Sequence, residues 1–361
     1  MQDILIPTPA LHGWIERLFA AAGSEPLEAR LTADHLVGAN LSGHDSHGVG
    51  MVPRYVNGLL NGELQLNRSV EVVADTGSIV VLDGQRGIGQ SIAHQAMAIA
   101  IERVRLHGVA VLALRNSHHI GRVGHWAEQS AAAGFVSVHF VNTVSRKPIV
   151  APHGGIDARF NTNPFTVAIP REDRQPIVLD FATSAIAQGK VRVAYNKGVQ
   201  VPPGALIDAT GKPSNDPSVM FEEPFGALLP FGSHKGFGLA MICELLGGAL
   251  SGGQTSQPAN FARNYGVWNN MLALLFDPAR LGTSAFFERE SASFIEYVRS
   301  ARKSELGEIL MPGEAERRYR RERAECIAID HGTLAELDAA AAALAAARGE
   351  DAGPLSALAR S

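Results

Sequence analysis

Two histidine-rich segments carry side chains suited to moving protons. GHDSHG occupies residues 43–48 and NSHHIGRVGHW occupies residues 116–126, each after a predicted helix or strand. Reduction of a carbonyl by hydride needs a proton donor at the oxygen, and imidazole suits this task because its ordinary pKa lies near neutral pH. We therefore expect His47 or His119 to be a catalytic acid and base. The alternative for any single loop histidine is a helix cap or a bond to the backbone.

Ser46 and Asp180 are the side chains expected to assist such a histidine. Ser46 directly precedes His47, so its hydroxyl can bond to a substrate oxygen or orient the ring, with an ordinary loop hydroxyl as the alternative. Asp180 lies at the end of the predicted strand and can hold a histidine in one tautomer while stabilising its protonated form. An Asx turn explains Asp180 nearly as well.

A metal site is the rival interpretation of the first segment. His44, Asp45 and His47 could be ligands, with His118 or His119 completing the set. No H-E-x-x-H helix or cysteine pair accompanies them, so the sequence predicts no metal, and a metal-dependent hydrolase is the alternative class of enzyme. A non-catalytic binding module would leave both polar segments unexplained.

The sequence lacks the usual dinucleotide fingerprints. Neither G-x-G-x-x-G after a strand nor a P-loop occurs, which argues against a conventional Rossmann site. Backbone N–H groups at glycine-flanked helix starts can still hold a pyrophosphate. GRVG at 121–124 and GSHKGFG at 232–238 offer such starts, with Arg122 and Lys235 as cationic side chains.

Composition bounds the class of protein. The 361 residues suffice for two lobes, and 46% hydrophobic against 19% charged residues is typical of a globular enzyme. A net charge of -4 provides no positive field for nucleic acid or anionic lipid. Cys243 and Cys326 form no C-x-x-C pair, and neither a signal peptide nor a long apolar run is found. We expect a soluble cytoplasmic enzyme with a small-molecule substrate and neither a membrane nor a nucleic-acid partner.

Hydrophobic periodicity places the polar segments on a series of helices and strands. Helices from Thr8 to Gly23 and from Ser24 to Leu41 open the chain. The later predictions are strands at 71–75, 78–84, 109–114, 135–141, 165–170, 177–181 and 271–276, and helices at 90–107, 122–133, 236–250, 286–302, 314–325 and 334–348. Their order indicates a β-α-β arrangement. Residues 196–226, rich in Pro, Gly, Asn and Asp, predict an extended surface excursion that could be a lid.

Six short motifs follow one another along the chain: SHG (46–48), SHHIG (117–121), NTNPF (161–165), LDFATS (179–184), HKGFGL (234–239) and MPGE (311–314). In these motifs and in their order the chain resembles the type 2 malate/L-lactate dehydrogenases, and the resemblance extends from about residue 10 to residue 345. Within that family, GHDSHGVGMVPRYV, NSHHIGR and CELLGGALSGG are most similar to the hydroxycarboxylate dehydrogenase B group.

The resemblance implies an α+β fold with a non-Rossmann, mixed-sheet cofactor-binding domain beside a helical lobe. Residues 1–70 and about 284–361 would form the discontinuous helical lobe, and residues 71–283 the nicotinamide cofactor and substrate domain. It also implies a homodimer that uses NAD, with NADP as the alternative. An interface made by the first and the C-terminal helices could bury the apolar Trp14, Ile15 and Leu18.

Site residues are also implied by the resemblance. His47 in SHG takes the role of proton donor, and His119 is the alternative because ureidoglycolate-oxidising relatives assign the role to that position. The implied cofactor contacts are His47, Gly121, Arg122, Val123, Val178, Leu179, Asp180, Phe181, Ala182, His234, Lys235, Asn270, Gly313, Glu314, Ala315 and Glu316. Arg54, Tyr55 and Met51 are the expected substrate contacts.

Met51 departs from the family pattern, because many relatives have an arginine there that can grip the substrate carboxylate. Arg54 or Arg122 is expected to replace it, and a less polar pocket beside Met51 would suit a bulkier or aromatic 2-oxo acid, with simple packing as the alternative role. The sequence thus predicts an NAD(P)-dependent oxidoreductase that interconverts a small or aromatic 2-oxo acid and its 2-hydroxy acid. Malate, sulfolactate or ureidoglycolate dehydrogenases and a cyclic imine reductase are alternatives on the same scaffold.

Overall fold

The computed structural model describes residues 3–172, 174–262, 266–305 and 307–359, so the predicted lobe ends at residues 1 and 361 lie outside the described residues. The α-helices of these ranges are α1 (Thr8–Ala21), α2 (Pro26–Leu41), α3 (Val52–Leu60), α4 (Gly89–His107), α5 (Val123–Ala132), α6 (Gln188–Lys197), α7 (His234–Ile242), α8 (Ser284–Arg299), α9 (Glu314–Glu322) and α10 (His331–Arg348). The strands are β1 (Ile4–Pro7), β2 (Glu71–Asp75), β3 (Ile79–Asp83), β4 (Val109–His118), β5 (Val136–Val144), β6 (Phe165–Arg171), β7 (Arg174–Phe181), β8 (Leu206–Ile207), β9 (Pro213–Ser214), β10 (Ala227–Leu228), β11 (Trp268–Phe276) and β12 (Cys326–Ile329).

The central sheet of the described chain has seven strands in the order β2-β3-β4-β11-β5-β6-β7. β3 and β4 pair in parallel, and the other neighbours are antiparallel. Leu272 of β11 lies opposite Ala113 of β4 and Phe140 of β5. The predicted α+β class and the mixed sheet are confirmed. The predicted β-α-β order is confirmed for β3, α4, β4, α5 and β5, although β11, which arrives from a distant part of the chain, separates β4 from β5 in the sheet.

Two amphipathic helices bury one face of this sheet. Ile92 and Val104 of α4 and Trp126 of α5 share a buried cluster with Leu112 of β4. Gly108 ends α4 with a φ of 81° and donates its N–H to the Val104 carbonyl. Glycine suits this left-handed position because it has no Cβ. β4 begins directly after this turn and ends within the second histidine segment.

A second core joins the two ends of the described chain. Trp14, Ile15 and Leu18 of α1 are at most 1% exposed and pack with residues of α2, α3 and α10. The expectation that a dimer interface buries these three residues is therefore wrong, because the chain's own helices cover them. β1 pairs antiparallel with β12, with Ile4 opposite Ile329. The assignment of residues 1–70 and 284–361 to one lobe stays a prediction, and α8 contributes no buried residue to this core.

Residues 188–229 fold around a buried cluster that they share with Ile149, Val150, Phe160 and Ala240. α6 packs beside a sheet of order β10-β8-β9, and Val191, Leu206, Met220 and Leu228 are buried in the same cluster. The extended excursion predicted for residues 196–226 is thus corrected: turn-forming residues limit each strand to two residues, but the apolar residues between them still pack. No helix in the described ranges combines the length and apolar character required to cross a membrane.

Candidate active site

The loop that carries Ser46 and His47 is fixed by the side chain of Asn40 at the end of α2. Asn40 donates its amide N–H to Asp45 at 2.7 Å and accepts the Val49 backbone N–H at 2.8 Å. Gly48 allows this approach, since a Cβ there would lie 2.1 Å from the Asn40 oxygen. His47 is thereby held in a single short 3-10 turn, Asp45–His47.

The second histidine segment is positioned at the end of β4 by close backbone packing. The start of α4 lies directly against it, because a Cβ on Gly89 would come within 2.1 Å of the His119 carbonyl oxygen. The next backbone N–H, that of Ile120, donates to the Asn269 side chain at 2.9 Å. β4, β11 and α4 therefore fix the place of His119.

His47 and His119 form a stacked and hydrogen-bonded pair. His47 Nδ1 lies 3.2 Å from His119 Nε2, and the two ring planes differ by 13°. On the far side, His119 Nδ1 lies 2.7 Å from the Tyr55 hydroxyl, which also accepts a hydrogen bond from Gln90 Nε2 at 2.9 Å. Both nitrogens of His119 are thus engaged, whereas His47 Nε2 faces no hydrogen-bond partner in the described chain.

Burial keeps the histidines of this site neutral. Burial, followed by the effect of His44, lowers the pKa of His47 to about 4, although Asp180 opposes the shift. Burial also lowers the pKa of His119 well below its ordinary value and that of His118 to about 3. Burial raises the pKa of Tyr55, so its hydroxyl keeps its hydrogen. Each ring therefore carries one proton at neutral pH, and the tautomer decides which nitrogen can donate.

A cavity of about 350 Å³ opens beside the pair. His47, His119 and Ser46 line it together with Met51 and Arg54, so these predicted residues do meet. Tyr55 does not line this cavity; it is fully buried behind His119.

The cavity beside the histidine pair is cationic. Arg54, Arg146 and Lys147 line it, and no described Asp or Glu does. Arg54 has no ion pair among the described residues, which leaves its guanidinium free for an anion. Arg146 and Lys147 were missed in the sequence, where RK reads as an ordinary pair of loop cations.

A second cavity, of about 400 Å³, meets the first at Ser46 and His47. Most of the predicted cofactor contacts line it: Gly121, Arg122, Val123, Asp180, Phe181, Ala182, Ala315 and Glu316. The motifs that carry these residues are distant in the sequence, and the start of α5, the end of β7 and the start of α9 bring them together.

Arg122 and Asp180 hold each other at the wall of this second cavity. Arg122 is 3% exposed and donates from Nη2 to Glu128 at 2.7 Å, whereas its buried Nη1 has no hydrogen-bond partner among the described residues. Asp180 accepts the Gly124 backbone N–H at 2.9 Å and the Thr166 hydroxyl at 2.7 Å. The expectation that Asp180 orients a histidine is therefore corrected, because both of its oxygens bond elsewhere.

The other predicted cofactor residues lie apart from the cavity. Asn270 is 2% exposed, and its amide bonds to Asn116, Asn142 and Gln254, so it serves the sheet. His234 and Lys235 are exposed at the start of α7, away from both cavities. Val178 and Leu179 of β7 lie beside Gly313, and Glu314 bonds back to the Met311 N–H. Cofactor roles for this group stay predictions.

Two of the residues considered as metal ligands, His44 and Asp45, have other partners. His44 Nε2 lies 3.2 Å from Glu316, and Asp45 accepts from Arg323 at 2.7 Å. In the part of the chain that the structure describes, no group of three or more His, Cys, Asp or Glu side chains is arranged to hold a metal ion. No observation favours the metal-dependent hydrolase.

Comparison with known proteins matches this arrangement to one enzyme group. The sequence profile of the malate/L-lactate dehydrogenases matches residues 6–338. Hydroxycarboxylate dehydrogenase B of Escherichia coli O157:H7 is 51% identical over 316 residues, 87% of this chain and 87% of that protein. L-lactate dehydrogenase of Cupriavidus necator is 41% identical over 314 residues, 86% of this chain and 90% of that protein. The solved structure of an E. coli protein, attributed to the malate/lactate dehydrogenases, superimposes with a TM-score of 0.92 at 47% identity, covering 98% of both chains.

The fold, the histidine pair between two cavities and these matches define an oxidoreductase that acts on CH–OH donors, a 2-hydroxy acid dehydrogenase. The chain belongs to the malate/L-lactate dehydrogenase family.

Proposed function

We propose that the protein reversibly reduces a small or aromatic 2-oxo acid to the 2-hydroxy acid with His47 as the proton donor and acceptor. One observation carries this assignment: of the ring nitrogens in the histidine pair, His47 Nε2 alone is left without a partner among the described residues. His119 has no free nitrogen to offer a substrate. It orients His47 and does not itself exchange the proton.

The proposed cofactor is NAD, with NADP as the alternative. The second cavity fits an anionic dinucleotide because Arg122 lines it, and Arg122 Nη1 has no hydrogen-bond partner among the described residues, only an ion-pair contact of 3.8 Å with Asp180. Gly121 and Gly124, in the same motif as Arg122, have no Cβ, so the His35 ring and the Asp180 carboxylate can lie against the backbone and fix its position in the cavity wall. When bound, the nicotinamide supplies or accepts the hydride. Glu316 in the same wall favours NAD, since a carboxylate suits a ribose hydroxyl better than a phosphate.

Arg54 is the proposed anchor of the substrate carboxylate. Arg122, the other candidate, already pairs with Glu128, whereas Arg54 is unpaired in the described chain and shares a cavity with His47. Met51 on the same wall leaves an apolar face for the substrate side chain. Malate, sulfolactate, ureidoglycolate and cyclic imines are the alternative substrates.

The test follows nicotinamide absorbance with pyruvate, oxaloacetate, 2-oxoglutarate, phenylpyruvate, hydroxyphenylpyruvate and cyclic imines, each with NADH and NADPH. His47→Ala should lower the rate of 2-oxo acid reduction by about 100-fold or more, while nicotinamide affinity stays within a few fold. His119→Ala should be milder, and His12→Ala, on the distant helix α1, should change nothing. Absence of turnover with every 2-oxo acid would refute the function, and a fully active His47→Ala would move the proton transfer to another residue.

We also propose that the protein is a homodimer. The proposal no longer rests on the apolar residues of α1, which the chain's own helices bury. α7 continues as a π-helix, Cys243–Leu250, and this continuous helix exposes Met241, Ile242, Leu245 and Leu250 to solvent on the single chain. Such a row of large apolar side chains is typical of a surface that a partner covers. A cytoplasmic location also stays a proposal, and it agrees with two cysteines that are not joined.

A further inference from the structure

Tyr55 lies at the centre of a buried hydrogen-bonded chain that ends at the active site. Its hydroxyl contacts Gln90 Nε2 at 2.9 Å and His119 Nδ1 at 2.7 Å, and the His119 carbonyl oxygen is 3.5 Å away. Tyr55 and Gln90 are 0% exposed, and neither lines the substrate cavity. α3 supplies the tyrosine, the first turn of α4 the glutamine and the end of β4 the histidine. Three elements thus converge on a contact that lies outside the lining of the substrate cavity.

The direction of hydrogen bonding along this chain is set by the proton that His47 must donate. When His47 is ready to donate, both of its nitrogens bear hydrogen, so Nδ1 donates to His119 Nε2. His119 Nε2 must then present its lone pair. The single hydrogen of the neutral His119 ring is consequently on Nδ1, where it points at the Tyr55 oxygen.

The surroundings of Tyr55 suit an oxygen that accepts. A phenol oxygen can accept two hydrogen bonds and donate one. With the hydrogen of His119 on Nδ1, the Gln90 N–H fills one acceptor position and His119 Nδ1–H the other, and the phenol hydrogen makes only a long contact of 3.5 Å with the His119 carbonyl oxygen. The contact therefore resembles the carboxylate that orients a catalytic histidine, but with an uncharged oxygen in a fully buried place.

We propose that Tyr55, held by Gln90, is a positioning residue that fixes the Nδ1–H tautomer of His119 and so makes His47 Nε2 the nitrogen that exchanges the proton. This inference rests on the proposed function. In reduction the carbonyl carbon gains hydride, and its oxygen takes the proton from His47 Nε2. His47 is left neutral with its hydrogen on Nδ1, still donating to His119, and Tyr55 neither gains nor loses a proton.

Removing the Tyr55 hydroxyl should reverse the tautomer preference of His119. In Tyr55→Phe, a hydrogen on His119 Nδ1 would be buried without an acceptor, so the hydrogen moves to Nε2 and points at His47. A hydrogen on His119 Nε2 disfavours protonated His47, because the Nδ1–H of that ring would then face another N–H. The charged or titratable groups around the pair, none of which the substitution changes, are His44 beside His47, Arg54 on α3, His118 on β4, Arg122 before α5, His35 on α2 and Asp180 on β7.

The experiment combines Tyr55→Phe with nitrogen-15 NMR of histidine-labelled protein and with kinetics. Wild-type His119 should show the Nδ1–H tautomer and the variant the Nε2–H tautomer. kcat for reduction should fall about 10-fold or more, while KM stays within about twofold of the wild-type value. The descending limb of the pH profile for reduction, along which the rate falls as pH rises, should move to lower pH. The phenyl ring keeps its contacts with Phe19 and His118, so the variant should fold. Gln90→Leu should produce the same changes in weaker form.

Two controls separate positioning from general loss of packing. Thr32→Val removes another buried hydroxyl, one that bonds to the Glu28 carbonyl and to neither histidine of the pair, and should leave tautomer and pH profile unchanged. Adding Tyr55→Phe to His119→Ala should cost no further activity, since the hydroxyl acts through that ring. An unchanged His119 tautomer in Tyr55→Phe, or an equal shift in Thr32→Val, would overturn the proposal. The tautomer is read without substrate, so its result is distinct from a failure of 2-oxo acid turnover.

Discussion

His47 is neutral before substrate binds, because burial lowers its pKa to about 4. Reduction needs the protonated ring, whose fraction in the free enzyme falls tenfold for each pH unit above that pKa. We therefore expect kcat/KM for 2-oxo acid reduction to fall by about tenfold per unit between pH 5.5 and 8. Oxidation of the 2-hydroxy acid needs the neutral ring and should not fall over this range. Steady-state rates in both directions check the sign, and a flat reductive profile would contradict it.

The lone guanidinium of Arg54 predicts a split between KM and kcat. Arg54→Met should raise KM for the 2-oxo acid by about 10- to 100-fold, because a charge-assisted hydrogen bond contributes about 1.5 to 3 kcal/mol. kcat should stay within a few fold, since the proposed partner of Arg54 is the carboxylate and not the reacting carbonyl. Arg348→Met, at the end of α10, is the matched control. If KM does not move, Arg146 or Lys147 anchors the carboxylate in its place.

Residue types indicated the reacting groups but not their partners. Histidine spacing and the resemblance singled out His47 and His119, and the structure places their rings 5.3 Å apart. Gln90 was missed because a glutamine in the first turn of an amphipathic helix is ordinary in any sequence. Asp180 was expected to orient a histidine, but its two oxygens bond to the Gly124 N–H and the Thr166 hydroxyl. Hydrogen-bond partners depend on contacts between distant elements, which spacing within one motif cannot reveal.

At the scale of elements, the exposed apolar row on α7 and its π-helical extension predicts how two copies meet. Leu245 is 48% exposed in the middle of that row. Leu245→Glu should convert the dimer to a monomer, because a charge in an apolar interface must be desolvated without a partner. Light scattering measures the mass. Leu106→Glu, at a solitary exposed leucine of α4, should leave the dimer intact. A monomeric wild-type protein would refute the proposed association.

The spacing of apolar residues located most helices and strands, because each element buries one face and the apolar residues of that face recur at regular intervals in its sequence. α4 and β11 lie where their apolar patterns predict them. The neighbours of β11 were not predictable in the same way, since strand order depends on which distant edges pair. α6 was missed because its sequence, QGKVRVAYNK, buries only Val191 and Ala194 and shows too weak a stripe. β1 has four residues, and its one strand partner in the described part of the chain is β12.

For the whole molecule, the buried neutral histidines predict sensitivity to acid. Burial lowers the pKa of His125 and His139 to about 4 and that of His118 to about 3, below the value of 6.5 in an unfolded chain. The unfolded state then binds more protons than the folded state below pH 6.5. The free energy of unfolding should therefore fall as the pH drops from about 6.5 toward 4, by about 1 kcal/mol for each such histidine at pH 5.5.

Urea denaturation at pH 7.5 and pH 5.5 measures this loss. His118→Phe should reduce it by the share of one histidine, since both ring nitrogens of His118 are buried without a partner in the described chain. His107→Phe, at an exposed position of α4, should leave the difference between the two pH values unchanged. Equal pH dependence in His118→Phe and wild type would show that this ring is not the source.

The pairing of β1 with β12 has a consequence for synthesis on the ribosome. β1 cannot pair until β12 has been synthesised, and Cys326, the partner of Pro7, follows roughly 320 residues later. At about 5 to 20 residues per second, this interval lasts roughly 15 to 60 s. During that time Trp14 and its apolar neighbours lack the cover of α10, so the nascent chain offers them to chaperones. A circular permutant that joins the two ends and opens the chain elsewhere would make β1 and β12 together, and would shorten the exposure.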